Sequence, residues 1–225
     1  MSEELRTAFE IQRFVVLPGL LPGGVLRVAH EHAVKRAAAV SLQTDQQDRQ
    51  VPGTPAVYGD AVMERLMVQI QPLIERVADR ALYPTYAYFR VYKHGDVLRP
   101  HRDRGACEMT LSVNLGAVPD TPWLLWIEDP DGRVDVSDDR AGAVAGAVGG
   151  AGDGEGDGEA VKPARGIAVD LHPGDAVLFR GIERTHWRDA YDGEAAVQLF
   201  LHYVDRDGPY REWKFDKRAH LGCGA

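Results

Sequence analysis

The sequence predicts an α+β domain with a mainly antiparallel β core, on three observations. Helical periodicity fills much of the first third of the chain and gives way at Tyr86 to two-residue alternation. Beyond that point the candidate strands are short and divided by turn signals, not by helices, which points to a β-sandwich or barrel and away from alternating βα units. At 225 residues, 44% apolar and 27% charged, the chain has the size and composition of one domain built around one substantial core.

The elements follow in order. Phe14 to Leu17 is a short apolar run stopped by Pro18-Gly19, a leading strand. Pro22-Gly23-Gly24 opens a helix over Val25 to Val40, rich in Ala and other helix-compatible residues. Residues 41 to 60 are polar, punctuated by Gly and Pro, and predict a loop. Met63, Leu66, Met67, Ile70, Leu73, Ile74 and Val77 recur at three- and four-residue steps, one apolar helical face that packs on a sheet; Pro72 is placed to kink or divide it.

Strand character begins with Tyr86 to Lys93, aromatic and β-branched. In Glu108 to Leu115, Thr110, Ser112 and Asn114 alternate with Met109, Leu111, Val113 and Leu115, so the polar set shares one face. Trp123 to Ile127 is a further strand. Ile167 to Leu171 and Ala176 to Phe179 are two more, joined by the turn His172-Pro173-Gly174-Asp175, and Val197 to Val204 is the last. Gln198 and His202 fall on the same side as the polar set. The expected layout is a single domain, 1–225: N-terminal strand and helices over 1–85, the β core over 86–205, and a tail over 206–225. Within the core, a stretch near 137–164 is dominated by Gly and Ala and cannot repay its ordering entropy, so a disordered insertion is expected there.

Bulk properties exclude several function classes. The formal net charge of -8 gives no basic footprint for a nucleic-acid partner. No apolar run approaches the roughly 18 residues of a membrane span, and the acidic MSEELRTAFE start has no export-signal core. With only Cys107 and Cys223, a disulfide framework is not expected, and a cytoplasmic setting is.

The chemistry centres on His101-Arg102-Asp103. Side chains at i and i+2 of an extended strand project from one face, so an imidazole and a carboxylate can address one ion. A third ligand from a distant strand would complete the set, and His186 lies far downstream, after the Pro173-Gly174-Asp175 turn and the apolar strand. Two imidazoles and one carboxylate leave three adjacent octahedral positions open, the arrangement with which non-haem iron(II) oxygenases bind co-substrate and O₂ side by side.

With Tyr92-x-x-Gly95, His101-x-Asp103, the Pro173-Gly174-Asp175 turn and His186 in place, the stretch from about Phe89 to Asp205 resembles the double-stranded β-helix (jelly-roll) core of the Fe(II)/2-oxoglutarate-dependent dioxygenases, near their prolyl-hydroxylase-like branch. The resemblance implies N-terminal helices packed on one sheet of the jelly roll. It implies iron held by His101, Asp103 and His186, and 2-oxoglutarate consumed with O₂ to succinate and CO₂ as a substrate C–H bond is oxidised. It also aligns Tyr92 and Asn114 with co-substrate contacts. The sequence departs from the pattern at one point. Relatives place an Arg or Lys about ten residues beyond the distal histidine for the far carboxylate of 2-oxoglutarate, which needs charge-assisted hydrogen bonds when buried. Here Ala196 stands there. Arg188 or Arg180 is expected to serve instead, with Arg90, Lys93, Arg99 and His202 as further candidates.

The expected function is therefore hydroxylation of a small metabolite or of an amino-acid or peptide side chain. Desaturation, cyclisation or demethylation would use the same centre. The rival reading, supported by the missing cation, is a cupin-like jelly-roll module that binds a metal or ligand without turnover.

Overall fold

The computed structural model describes residues 2–41, 50–129 and 165–223. The insertion expected near 137–164 lies outside them. Helix α1 (Ser2–Gln12) precedes strand β1 (Phe14–Leu17). It has no counterpart among the elements expected from sequence, because its apolar residues gain meaning only against a partner: it packs on the later helix α3 and buries Phe9 completely. Helix α2 (Gly23–Ser41) buries Ala29, Ala33 and Ala37, one alanine per turn. A short edge strand, β2 (Ala56–Tyr58), emerges from what the sequence marks as loop.

Helix α3 (Ala61–Ala78) starts at Asp60, whose carboxylate accepts hydrogen bonds from the backbone N–H groups of Val62 and Met63 at 3.0 and 3.2 Å. Its buried side is the predicted stripe, with Met63, Met67, Ile74 and Val77 innermost, and Pro72 does not divide it.

Strands β3 (Leu82–Lys93), β4 (Leu98–His101), β5 (Met109–Val118), β6 (Leu125–Glu128), β7 (Gly166–Val169), β8 (Ala176–Phe179), β9 (His186–Arg188) and β10 (Ala195–Asp205) form two antiparallel sheets. A 3₁₀ turn, Gly105–Cys107, leads into β5. The larger sheet runs β1-β8-β5-β10-β3-β2 and the smaller β4-β9-β6-β7. This is the double-stranded β-helix. The outer face of the larger sheet, with Phe89, Leu111, Val113, Leu199 and Leu201, is closed by the helices and forms the main core. A second core between the sheets joins Phe14, Leu125, Ile127, Val169, Val177 and Phe179. Among the described residues no helix is long and apolar enough to cross a membrane.

Register sets what the inner face presents. Thr110 pairs with His202, Ser112 with Phe200 and Asn114 with Gln198 across β5 and β10, while Phe200 and Gln198 pair with Tyr88 and Arg90 of β3. Opposite them, His101 pairs with His186 and Leu98 with Arg188. The polar residues of alternating strands thus face one interior space, as the period of two requires.

Candidate metal centre

His101 ends β4, Asp103 follows it, and His186 opens β9, hydrogen-bonded to β4, so three residues distant in sequence meet between the sheets. Asp103 Oδ1 lies 3.7 Å from His101 Nε2 and 3.6 Å from His186 Nε2. The two imidazole centroids are 4.2 Å apart. One donor atom from each residue can therefore contact a common cation.

The other atom of each ligand is already tied. His101 Nδ1 lies 2.9 Å from the Arg99 carbonyl and His186 Nδ1 3.1 Å from the Arg184 carbonyl. A carbonyl only accepts, so Nδ1 carries the proton in each ring and Nε2 presents its lone pair inward. The Asp103 carboxylate accepts the Thr110 hydroxyl at Oδ2, 2.7 Å away, which leaves Oδ1 facing the imidazoles. Thr110 Oγ1 is in turn 3.1 Å from His202 Nδ1. With the single Thr110 proton given to Asp103, His202 donates to Thr110. Asp103 also donates its backbone N–H to the Gly181 carbonyl at 3.0 Å. Gly181 has no room for a side chain: a Cβ there would stand 2.0 Å from Asp103 Oδ2. Phe179 meets the His186 ring edge-on at 4.8 Å.

Burial dominates the electrostatics. It drives the pKa values of His186 and His202 down to about 4, the neighbouring His101 adding to the effect on His186. Burial by itself would raise the Asp103 carboxyl, but the imidazoles of His186, His202 and His101 and the Thr110 hydroxyl hold it below the ordinary range. At neutral pH the Asp103 carboxylate is charged and the His186 and His202 imidazoles are neutral, and with His101 they make a donor set that fits a divalent cation of borderline hardness. His101, Asp103 and His186 are one of two clusters of metal-type donors among the described residues. The other, Asp103 with Cys107 and His202, shares the carboxylate.

The remaining predicted residues divide. Tyr92 is 1% exposed, lines the cavity beside the centre and meets Trp123 edge-on at 4.6 Å. Arg188 is buried on β9, two residues past His186. It donates through Nη1 to the Trp123 carbonyl and through Nη2 to Gln198 Oε1 at 3.2 Å, while its Nε has no hydrogen-bond partner. It makes no salt bridge among the described residues; burial pulls its pKa down to about 10, against the smaller opposing pull of Tyr92 and the Asp170 carboxylate. Gln198 Nε2 donates onward to Asn114 Oδ1 at 3.3 Å. Asn114 also holds the Leu171 carbonyl at 2.6 Å, so it braces this chain rather than pointing freely into the space.

Arg180 is not brought to the site. Its guanidinium turns outward to Glu183 at 2.9 Å and lies against the Phe9 ring of α1, because it follows the last residue of β8 with opposite facing to Phe179. Of the further cations, Lys93 is exposed and donates to the Gly53 carbonyl, Arg99 is exposed, and Arg90 is 1% exposed and lines the cavity. Sequence reasoning missed Gly181 and the brace role of Thr110, and set Ser112 on the polar face of its strand without giving it a role. Ser112 is fully buried on the cavity face, and its hydroxyl has no hydrogen-bond partner. The polar alternation of β5 carried the signal for Thr110 and Ser112. For Gly181 it was a glycine just after an apolar strand, close before His186.

No protein-family model and no curated protein sequence matches the chain. Solved structures do. The epimerase SnoN, crystallised with Fe3+, alpha ketoglutarate and nogalamycin RO, superposes with a TM-score of 0.68 at 18% identity, over 100% of this chain and 91% of that one. A prolyl-4-hydroxylase from Pseudomonas putida gives 0.61 at 14% identity, over 92% and 100%. HygX from Streptomyces hygroscopicus, with nickel, 2-oxoglutarate and hygromycin B bound, gives 0.61 at 14%, over 92% and 88%. The chain thus has the fold of 2-oxoglutarate- and iron-dependent oxygenases, prolyl hydroxylases among them.

Proposed function

We propose that this protein is a non-haem iron(II) dioxygenase that uses 2-oxoglutarate and O₂ to hydroxylate a small metabolite or an amino-acid side chain. The observation that carries the proposal is the centre itself: His101 Nε2, His186 Nε2 and Asp103 Oδ1 converge while the second atom of each ligand is fixed by a hydrogen bond. Such outer hydrogen bonds orient metal ligands and fix their tautomers. When bound, iron(II) and 2-oxoglutarate would supply O₂ activation and the two-electron oxidation of a C–H bond, with loss of CO₂ and succinate.

What the chain contributes is orientation and charge. Among the described residues, Arg188 is a buried guanidinium with no salt-bridged carboxylate and a free Nε, and Ser112 a buried hydroxyl without a hydrogen-bond partner. Both are expected to bind the far carboxylate end of 2-oxoglutarate, with Gln198 and Asn114 bracing Arg188 and Tyr92 closing the side of the space. Arg188 so answers the vacancy left by Ala196: the cation comes from β9, facing β10, instead of from β10 itself. A buried charge without a counter-ion is unfavourable in a finished binding module and suits a site awaiting an anion, which favours the oxygenase over a non-catalytic jelly roll. SnoN is named an epimerase, so an oxidation that ends without hydroxyl transfer is the second reading. The absence of a disulfide at Cys107 and Cys223 and the use of ferrous iron suit a reducing cytoplasm.

The test is an anaerobic titration of the purified protein with iron(II) followed by 2-oxoglutarate. A weak visible metal-to-ligand charge-transfer band, and succinate on admission of air, are expected. A protein that binds neither, or that binds iron and leaves 2-oxoglutarate unconsumed in air with a broad substrate panel present, overturns the proposal.

A further inference from the structure

A second set of donors meets at the Asp103 carboxylate. Asp103, Cys107 and His202 each offer one ligand atom, and the three atoms lie within 4.8 Å of one another. The fold assembles them in two steps. The turn Gly105–Cys107, closed by the Cys107 N–H on the Arg104 carbonyl at 2.8 Å, carries the chain from Asp103 to the start of β5 with Cys107 inside. Register then sets His202 of β10 against Thr110 of β5. The Thr110 hydroxyl stands among all three residues, 2.7 Å from Asp103 Oδ2, 3.1 Å from His202 Nδ1 and 3.3 Å from the Cys107 carbonyl. Asp103, Cys107, Thr110 and His202 all line the cavity, which gives an ion a way in.

The donors are held in place. Cys107 Sγ lies 3.0 Å from Tyr86 Oη, and the Tyr86 ring packs on the His202 ring at 4.6 Å. Burial, with the Asp103 charge adding to it, pushes the Cys107 thiol well above its ordinary range. A coordinating dication overrides that: the S–H bond breaks, a sulfur–metal bond forms and the proton leaves to solvent. Thiolate and carboxylate then cancel the charge of the ion, so the buried complex is neutral. Sulfur, imidazole nitrogen and carboxylate oxygen together suit zinc(II) or cobalt(II), and the thiolate disfavours magnesium, calcium and manganese. Donors about 2.0–2.3 Å from a tetrahedral zinc stand roughly 3.3–3.8 Å apart, so small side-chain rotations close the set.

We propose that Asp103, Cys107 and His202 form a site for a zinc(II)-class cation that antagonises iron(II) at the neighbouring centre through the shared carboxylate. Asp103 Oδ1 faces His101 and His186, and Oδ2 faces the Thr110–His202 side. A cation on Oδ2 displaces the Thr110 hydrogen bond that orients the carboxylate and sets a second dication beside the first. The site itself is independent of the oxygenase proposal; only its effect on iron rests on that reading.

Cobalt(II) is the probe, because thiolate ligation gives it an intense near-ultraviolet charge-transfer band that nitrogen and oxygen ligands do not. Added anaerobically to the metal-free full chain, it should produce the band in the parent, in Cys223→Ser and in His101→Ala, whose iron centre has lost a ligand. Cys107→Ser should remove the band with circular dichroism unchanged, and His202→Gln should weaken cobalt binding. Zinc(II) is then titrated into the iron(II)–2-oxoglutarate complex, with the visible band of that complex as readout. The parent should lose this band at a zinc concentration at least roughly tenfold below that needed by Cys107→Ser. No thiolate band in the parent or in His101→Ala, a band that survives Cys107→Ser or vanishes in Cys223→Ser, or unchanged cobalt affinity in His202→Gln overturns the site. Equal zinc concentrations for parent and Cys107→Ser overturn the antagonism. Failure of the iron(II)–2-oxoglutarate band to form overturns the oxygenase proposal, while the cobalt result alone decides the site.

Discussion

Replacing Arg188 by methionine separates ligand binding from folding, because the two should move in opposite or unequal ways. In the ligand-free protein the guanidinium is fully buried without a salt-bridge partner, and its pKa falls from 12.5 to about 10. At 1.36 kcal/mol per unit, keeping that charge inside costs on the order of 3 kcal/mol. Arg188→Met removes the cost but strands the Trp123 carbonyl and Gln198 Oε1, at about 1–3 kcal/mol. The two offset, so the free variant should unfold within about 2 kcal/mol of the parent. Binding should suffer far more. A buried carboxylate that loses the guanidinium proposed to bind it loses about 3 kcal/mol or more, at least a hundredfold in Kd for 2-oxoglutarate. The assay is thermal unfolding of the metal-loaded protein with and without co-substrate. At a hundred times its Kd the ligand stabilises the parent by about 2.7 kcal/mol, a rise of about 5–10 °C for a chain of this size. The variant should show almost none of that rise. Retention of the full ligand-induced shift would refute the role given to Arg188. Collapse of the free variant by several kcal/mol would show the residue to be structural instead.

Three other outcomes follow from the same geometry. His101→Ala, Asp103→Ala and His186→Ala should each abolish succinate formation with circular dichroism unchanged; full turnover in any one removes that residue from the centre. Gly181→Ala puts a methyl 2.0 Å from Asp103 Oδ2, so the carboxylate must move, and iron(II) affinity should drop by about 10–100-fold, measured by competition with a chromogenic chelator. Unaltered affinity would mean that the β8–β9 turn gives way freely. Acid should destabilise the metal-free protein: His186 and His202, near pKa 4 folded and 6.5 unfolded, take up protons on unfolding between those values. Their contribution is complete above pH 6.5 and is lost as pH falls toward 4, by on the order of 3 kcal/mol per histidine. Urea unfolding across that range checks it, and a flat profile would contradict the neutral, buried assignment of both rings.

Sequence patterns reached the inner face of the sheets well and the spaces between elements poorly. The alternation in β5 placed Thr110, Ser112 and Asn114 together because a strand has a period of two, whatever it packs against. Helix α3 was legible because its stripe spans about four turns. Helix α1 and strand β2 were not: α1 buries one decisive residue, Phe9, and β2 is three residues long, so neither holds enough period to be read. Triplet spacing brought His101 and Asp103 onto one ion, but nothing local says that β9 lies beside β4, and the meeting of His186 with them came from resemblance. Arg180 and Arg188 could not be ranked from sequence, since each follows or ends a short apolar strand. Facing decides it, inward beside Gln198 for Arg188 and outward to Glu183 for Arg180.

The inward facing of Arg188 also explains why metal and co-substrate would need each other. His186 and Arg188 are two residues apart on β9, roughly 6.5 Å along the strand. The interior therefore holds a fixed negative charge at Asp103 and a fixed positive charge at Arg188, with the neutral imidazoles of His186 and His202 beside the carboxylate. A dication alone leaves the Arg188 end unbalanced and adds unpaired charge to a low-dielectric space. A dianion alone leaves Asp103 facing like charge. Together they add nothing net, and each fixed charge gains the partner it lacks, so burial that penalises either ligand singly favours the pair.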